Sequence, residues 1–436
     1  MVKILKNSKI EKFIVFLIIF ISAYNYVLPV DVFALNLNTS ITFPFWAKKI
    51  EIIHGVFIHE ALFLSYLVGL FLFSSPSKFL QDHNANNYAT IIFGLCCLGI
   101  ASTLINFQPI FDIFEACRIG ILAMLFLSYV YWAKKFGATF LLRSFLLGIV
   151  FSTSINLYFS YIIMWNKVGI FPVLLGQNGP GGTLGFIIGI AAWLFLIRKT
   201  RVDGWIAIIT TIIACFALMT SFSKLGLLMG FFGIIAWIAI IINEVFSRRK
   251  VQSSITIISI VVLFIFFLIN SKKGLEIIES AKIVYYQKFG AEDEGIISIN
   301  GSDEERVSYY YGVSEILFRN PMFGVGYSGF IGAILETNTF KRTGYFTEDL
   351  SPQSSNPHNA FLYYISANGI PGLLITILLF YRFSRMLLFG LKKYGKIGYV
   401  VWILISVATI IHANTLPTLF NTDIFYFSAA IACTQH

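Results

Sequence analysis

Twelve apolar runs of membrane-spanning length constrain this chain more than any motif. They lie near 13–30, 56–73, 89–107, 111–132, 144–164, 183–197, 204–221, 225–246, 252–269, 359–380, 398–413 and 417–433. About 20 consecutive apolar residues cross a hydrocarbon core as a helix. The expected fold is therefore all-α, a polytopic membrane helix bundle of about 12 transmembrane helices. Composition agrees, with 57% hydrophobic and only 12% charged residues and a mean hydropathy of +0.78. No water-soluble domain of ordinary size carries that balance.

The formal charge of +10 follows topology. Lys3, Lys6, Lys134, Lys135, Arg143, Arg198, Arg248, Arg249, Lys392 and Lys393 all fall on one set of alternating connections, whereas the opposite short connections hold only Lys48, Lys49, Lys167 and Lys224. The positive-inside rule then puts both termini in the cytoplasm and residues 270–358 outside. Charge spent on orientation argues against nucleic acid as a partner. The N-terminal lysines, apolar core and Val32-Phe33-Ala34 also read as a secretory signal, although an uncleaved first span is favoured, and either leaves the later orientation unchanged. The chain divides into an N-terminal membrane bundle (1–269, about nine spans), an extracytoplasmic loop with amphipathic helices (270–358) and about three C-terminal spans (359–436).

Carboxylates outnumber cations in the large loop, against the trend of the whole chain. Within it, Glu304-Glu305-Arg306 opens a run whose aromatic and aliphatic residues recur at near-helical spacing as far as Asn320-Pro321, which predicts an amphipathic helix along the outer face or over the bundle. Gly324-Val325-Gly326-Tyr327-Ser328-Gly329 satisfies the dinucleotide pattern GxGxxG, but it lacks the preceding strand and the βαβ setting. It reads instead as a turn where backbone comes close to another helix or a ligand. The loop re-enters the apolar region at Pro357-His358-Asn359-Ala360-Phe361-Leu362, with a titratable group at a wet border.

Taken in order, Arg306, then Arg319-Asn320-Pro321-Met322-Phe323-Gly324-Val325-Gly326-Tyr327-Ser328-Gly329-Phe330, then Pro357-His358-Asn359-Ala360-Phe361-Leu362, then Asn368-Gly369-Ile370-Pro371-Gly372 resemble the O-antigen ligase and polymerase superfamily. Gln177-Asn178-Gly179 and Thr220-Ser221-Phe222-Ser223-Lys224 add weaker support. The resemblance implies a membrane glycosyltransferase that moves a glycan from a polyprenyl-diphosphate donor to a glycan hydroxyl at the outer face of the cytoplasmic membrane. It implies His358 as general base and Arg306 as the catalytic cation facing the leaving diphosphate. Lys224, Arg319, Arg342 and Asn359 are the expected substrate-binding residues, with Lys341 a secondary cation. The family usually has arginine where Lys224 stands, and lysine lacks the bidentate fork.

Polymerase and ligase share this donor. They differ in acceptor, a second lipid-linked repeat or a lipid A core, and polymerase is favoured. Partners implied are the lipid-linked donor, the glycan or lipid A core acceptor, the bilayer, and a chain-length regulator or flippase. A polysaccharide or glycolipid transporter is the alternative from another class. It would place its site near the midplane, whereas the polar elements here gather at one face. No metal-ligand spacing and no DxD-like motif stand out, so a metal-independent reaction without cofactor is expected. Asp112, Glu115 and Arg118 share one helical face in a predicted span, where an internal Glu115–Arg118 pair is the simplest account and a polar channel the functional one; Asp423 in the last span poses the same question. Cys96, Cys97, Cys117, Cys215 and Cys433 read as small packing residues.

Overall fold

The computed structural model describes residues 8–27, 51–53, 56–57, 62–66, 68, 82–108, 110–168, 178–220, 224–248, 301–327, 329–339, 359–413 and 423–434. These are helical apart from turns, short connections and a small antiparallel hairpin, Glu51–Ile53 with Val56–Phe57. The helices are α1 (Ser8–Val27), α2 (His83–Ile105), α3 (Ile110–Phe136), α4 (Ala138–Val168), α5 (Asn178–Ile197), α6 (Arg201–Thr220), α7 (Lys224–Arg248), α8 (Gly301–Arg319), α9 (Gly329–Leu335), α10 (Ala360–Leu391), α11 (Gly395–Ala413) and α12 (Asp423–Cys433). Six helical stretches are long and apolar enough to cross a membrane, one of which runs through α10 and α11.

Ten of the twelve predicted spans coincide with described helices, and 252–269 lies outside the described residues. Two boundaries change. Val56 and Phe57 belong to the hairpin, so no helix begins at 56, and α10 continues to Leu391, well beyond 380. Asp423 is the first described residue of α12.

The chain forms two compact units. One comprises Met1–Pro76, Trp132–Asp293 and Leu391–His412, the other Ser77–Tyr131, Glu294–Gly390 and Ala413–His436.

In the first unit α5 is the central helix. It is apolar all round, and from Thr183 to Phe195 every residue is buried, as such a helix must be. It packs against α6 and α7. Small residues allow that approach: a Cβ at Gly185 would sit 2.5 Å from the Gly226 carbonyl oxygen, and one at Gly233 would sit 2.7 Å from the Ile188 side chain. Close helix contact through glycines is how helices gain dispersion energy where no hydrophobic effect separates protein from lipid.

Charges gather at one end of this unit. Lys135 pairs with Glu11 at 2.5 Å, and Tyr66 donates to the same carboxylate at 3.1 Å while Trp132 donates to Tyr66. Arg198 pairs with Glu244 at 2.6 Å and Arg143 with Asp203 at 3.5 Å. Thr200 and Asp203 form a reciprocal capping box that starts α6. The ends of α5 and α7 and the starts of α1, α4 and α6 thus share one polar end, whose cations the sequence groups by charge alone.

In the second unit α12 is wholly buried from Phe425 to Cys433 and is wrapped by aromatic contacts, among them Phe380 and Phe383 with Phe425, and Tyr129 with Phe427. This core carries α2, α8, α9 and α10, which build the site.

Candidate functional site

The amphipathic helix read before Asn320-Pro321 forms, as α8. In α8 the residues Tyr309, Val313 and Ile316 recur at helical spacing and are buried, while Tyr310, Tyr311 and Phe318 on other faces are exposed. The buried stripe packs with Val325, Phe330 and Ile334, and with Leu362 and Ile365 of α10.

Two hydrogen bonds fix how α8 lies on α10. Asn359 Nδ2 donates to Tyr310 Oη at 3.1 Å, and Ile370 N donates to Pro321 O at 2.8 Å. Each pair is 49 positions apart in the chain. α8 and the first part of α10 therefore run side by side in the same direction over about three helical turns. Val313 and Ile316 fall level with Leu362 and Ile365, which is why those four share one cluster.

At Gly369 α10 breaks, with φ +67° and ψ −161°, and Pro371 follows. An unbroken helix would bond Ile370 N to Ser366 O and residue 371 to Ala367 O, but proline has no N–H. The break thus orphans two carbonyls and one amide. The turn after α8 supplies all three partners: Val325 N donates to Ser366 O (2.8 Å), Gly326 N to Ala367 O (3.0 Å), and Pro321 O accepts from Ile370 N. Buried backbone groups must be paired, so the break in α10 and the glycine-rich turn require each other. Gly324 (φ +61°) and Gly369 are the points of closest approach. A Cβ on Gly324 would overlap Ser366 O, and one on Gly369 would sit 2.5 Å from Pro321 O. The GxGxxG segment is thus a turn shaped to a broken helix.

α2 closes this junction from a third side. Ser102 Oγ lies 2.5 Å from Phe323 O and 2.7 Å from Ala367 O, while Asn106 Nδ2 donates to Gly324 O at 3.1 Å. Tyr327 lies against Gly99, where a Cβ would be 2.8 Å from the ring, and Asn368 donates to Tyr327 Oη.

Asn359 is the N-cap of α10. Its Oδ1 accepts from Phe361 N (2.9 Å) and Leu362 N (3.1 Å), and its Nδ2 holds Tyr310. The side chain expected to touch substrate is engaged with protein at both ends. His358 directly precedes this cap in the chain; it, Lys341 and Arg342 lie outside the described residues. Arg306 lies on α8 four residues, about one turn, before Tyr310. Arg319 is exposed at the end of α8. Lys224 is the first described residue of α7, in the other unit. Of the charged cluster on α3, the side chains of Asp112 and Glu115 are outside the described residues, and Arg118 is half-buried.

Glu315 ties α8 to the segment after α9. Burial opposes its ionisation, but hydrogen bonds from the Thr339 hydroxyl and the Asn338 and Thr339 amides, with the Arg319 charge, together outweigh it and hold the carboxyl below the ordinary glutamate value.

Ser102, Asn106 and Tyr310 have no motif of their own. Ser102 and Asn106 did carry a signal, since polar side chains at the end of an apolar span face protein or water.

This architecture, helices long and apolar enough to cross a membrane with an amphipathic helix strapped to a broken one, is that of a multi-pass membrane protein. Residues 209–377 match the family model described as O-antigen ligase, and that stretch contains every element of the strap except α2. That match supports the resemblance of this stretch to the O-antigen ligase and polymerase superfamily. No curated protein matches it.

Proposed function

We propose that this protein joins glycans outside the cytoplasmic membrane, drawing on a polyprenyl-diphosphate-linked donor. An acceptor hydroxyl oxygen attacks the anomeric carbon, the bond from that carbon to the diphosphate oxygen breaks, and the diphosphate leaves with the electron pair. His358 takes the hydroxyl proton. Arg306 stabilises the charge that develops on the leaving group. Arg319, Arg342 and Lys224 add cationic contacts to the donor, and Asn359 acts by fixing the start of α10.

One observation carries this reading. The hydrogen bond from Asn359 to Tyr310 joins the chain one residue after His358 to the helix one turn after Arg306. That register supports a single site shared by the two residues, at the border where the loop meets an apolar helix. The gathered charges at the opposite kind of connection in the first unit support a topology of about twelve spans with cytoplasmic termini and the loop outside.

The acceptor is taken to be a second lipid-linked repeat, which makes the protein a surface-polysaccharide polymerase. The description of the matching domain favours a second reading, ligation to a lipid A core. Purified protein in liposomes with a defined lipid-linked repeat decides the class. Lengthened lipid-linked glycan is the expected product, and glycan joined only when lipid A core is supplied identifies the ligase. Translocation of the repeat without any new glycosidic bond overturns both.

A further inference from the structure

We infer that Ser102 and Asn106 of α2 are positioning residues for the reaction at His358, acting through the turn 321–326 and the broken helix α10. The inference rests on the glycosyl-transfer reading for its kinetic consequence, but its geometric content stands independently.

The first part of α10, from the cap at Asn359 to the break at Gly369, is a short lever. It holds Asn359 at one end by Tyr310, and at the other it depends on the backbone bonds that Val325, Gly326 and Pro321 make across the break. A glycine-proline break lacks intrahelical hydrogen bonds that would otherwise resist bending between the two halves of the helix. Here the break is pinned. The Ser102 hydroxyl stands between a carbonyl of the turn, Phe323 O, and one of the lever, Ala367 O, within donating distance of both. Asn106 holds the next carbonyl, that of Gly324, on the same turn.

Asn368 shows that the break does not stabilise itself. It is fully buried, and its Oδ1 has no hydrogen-bond partner among the described residues. An unsatisfied buried acceptor persists only where its surroundings impose it.

The consequence is geometric. The lever is about 15 Å long at 1.5 Å per residue, so a tilt of about 4° at the break displaces the cap by about 1 Å. A 1 Å misplacement at a reacting centre costs about 100-fold in rate. Ser102 and Asn106 touch no reacting atom in this scheme, and their effect reaches the cap at Asn359 through the angle of the lever.

The test uses the full chain with its five cysteines replaced by alanine and spin labels on the exposed positions Tyr311→Cys, on α8 level with the start of the lever, and Tyr381→Cys, on α10 beyond the break. With Ser102 and Asn106 present, the labels are expected to give one narrow distance, which broadens in S102A/N106A while the protein remains monodisperse in detergent. In liposomes with a lipid-linked repeat, unlabelled S102A/N106A is expected to lose about tenfold to 100-fold in kcat, with KM for the donor within about twofold. An unchanged distance distribution overturns the inference, as does a loss confined to KM. S102A alone, read the same way, replaces the double variant should the latter aggregate. Absence of transfer by the parent protein sinks the functional reading instead, and the label distances still decide whether α2 pins the break.

Discussion

Tyr310 and Asn359 join the loop helix to the start of α10 through one hydrogen bond, and the same Asn359 caps that helix. The two roles separate by substitution. Loss of an N-cap oxygen costs about 1 kcal/mol, and a neutral hydrogen bond about as much. Asn359→Ala removes both and is expected to lower the thermal midpoint most. Asn359→Ser keeps a capping oxygen, and Tyr310→Phe loses only the tie, so each should lie between it and the parent. Equal midpoints for Asn359→Ala and Tyr310→Phe in detergent-solubilised protein would remove the capping role.

The pairing of the turn with the broken helix predicts a sharp contrast among glycines. Gly324 and Gly369 adopt left-handed φ and face backbone, so Gly324→Ala and Gly369→Ala combine strain with a clash that no side chain can relieve. Each is expected to destabilise by more than about 2 kcal/mol and to lower the yield of monodisperse protein. Gly332 in α9 has an ordinary helical φ and open space where an alanine methyl group would stand, with no atom within 4 Å. Gly332→Ala should be neutral or stabilise by about 0.5–1 kcal/mol. Thermal unfolding of the three variants side by side checks the order.

Periodicity and charge carried most of the helices. Spanning length and the clustering of lysine and arginine are local properties of the chain, so α2 to α7 and the amphipathic α8 could be read directly from them. The break inside α10 could not, because an apolar run of spanning length passes through Gly369 and Pro371 without showing that the helix is interrupted there, nor that it continues to Leu391. The helix resumes only because Val325, Gly326 and Pro321 satisfy the groups that the break exposes. That partner lies more than forty residues away in the sequence. The site shows the same division. Asn359 is visible as part of a motif, but its capping role depends on where α10 starts, and Ser102 reaches the turn across 221 positions of sequence.

Glu315 predicts how the loop elements respond to acid. Burial pushes its carboxyl upward, but the Thr339 and Asn338 donors and the Arg319 charge outweigh that effect, so its folded-state value is depressed. A depressed carboxyl contributes stability that is complete above the value of an unfolded glutamate and is lost as pH falls through the lower folded value. The Asn338 and Thr339 amides should therefore exchange faster with solvent across that acid window, after correction for the intrinsic rate. In Glu315→Gln their protection should be weaker at neutral pH and lose this pH dependence. Protection that is identical in both proteins at every pH would exclude the carboxylate as the tie.

Arg306 and His358 supply the most direct prediction about chemistry. Arg306 precedes Tyr310 by four residues and His358 precedes Asn359 by one, and neither takes part in the Tyr310–Asn359 bond from which their shared site is proposed. Replacing them should therefore remove reactive groups while leaving the α8–α10 packing, which rests on Tyr309, Val313, Ile316, Leu362 and Ile365. His358→Ala and Arg306→Ala are each expected to lower transfer at least about 100-fold, the scale of losing a general base or a fixed cation at a leaving group. Membrane levels should match the parent. Arg306→Lys retains charge without the planar fork and should recover part of the rate, because a point charge still opposes the developing diphosphate charge. Transfer assayed in liposomes from a lipid-linked repeat, with quantified protein, makes the comparison. Near-parental rates in both alanine variants would move the site away from this junction, whereas loss of membrane protein in either would show that its side chain packs rather than reacts.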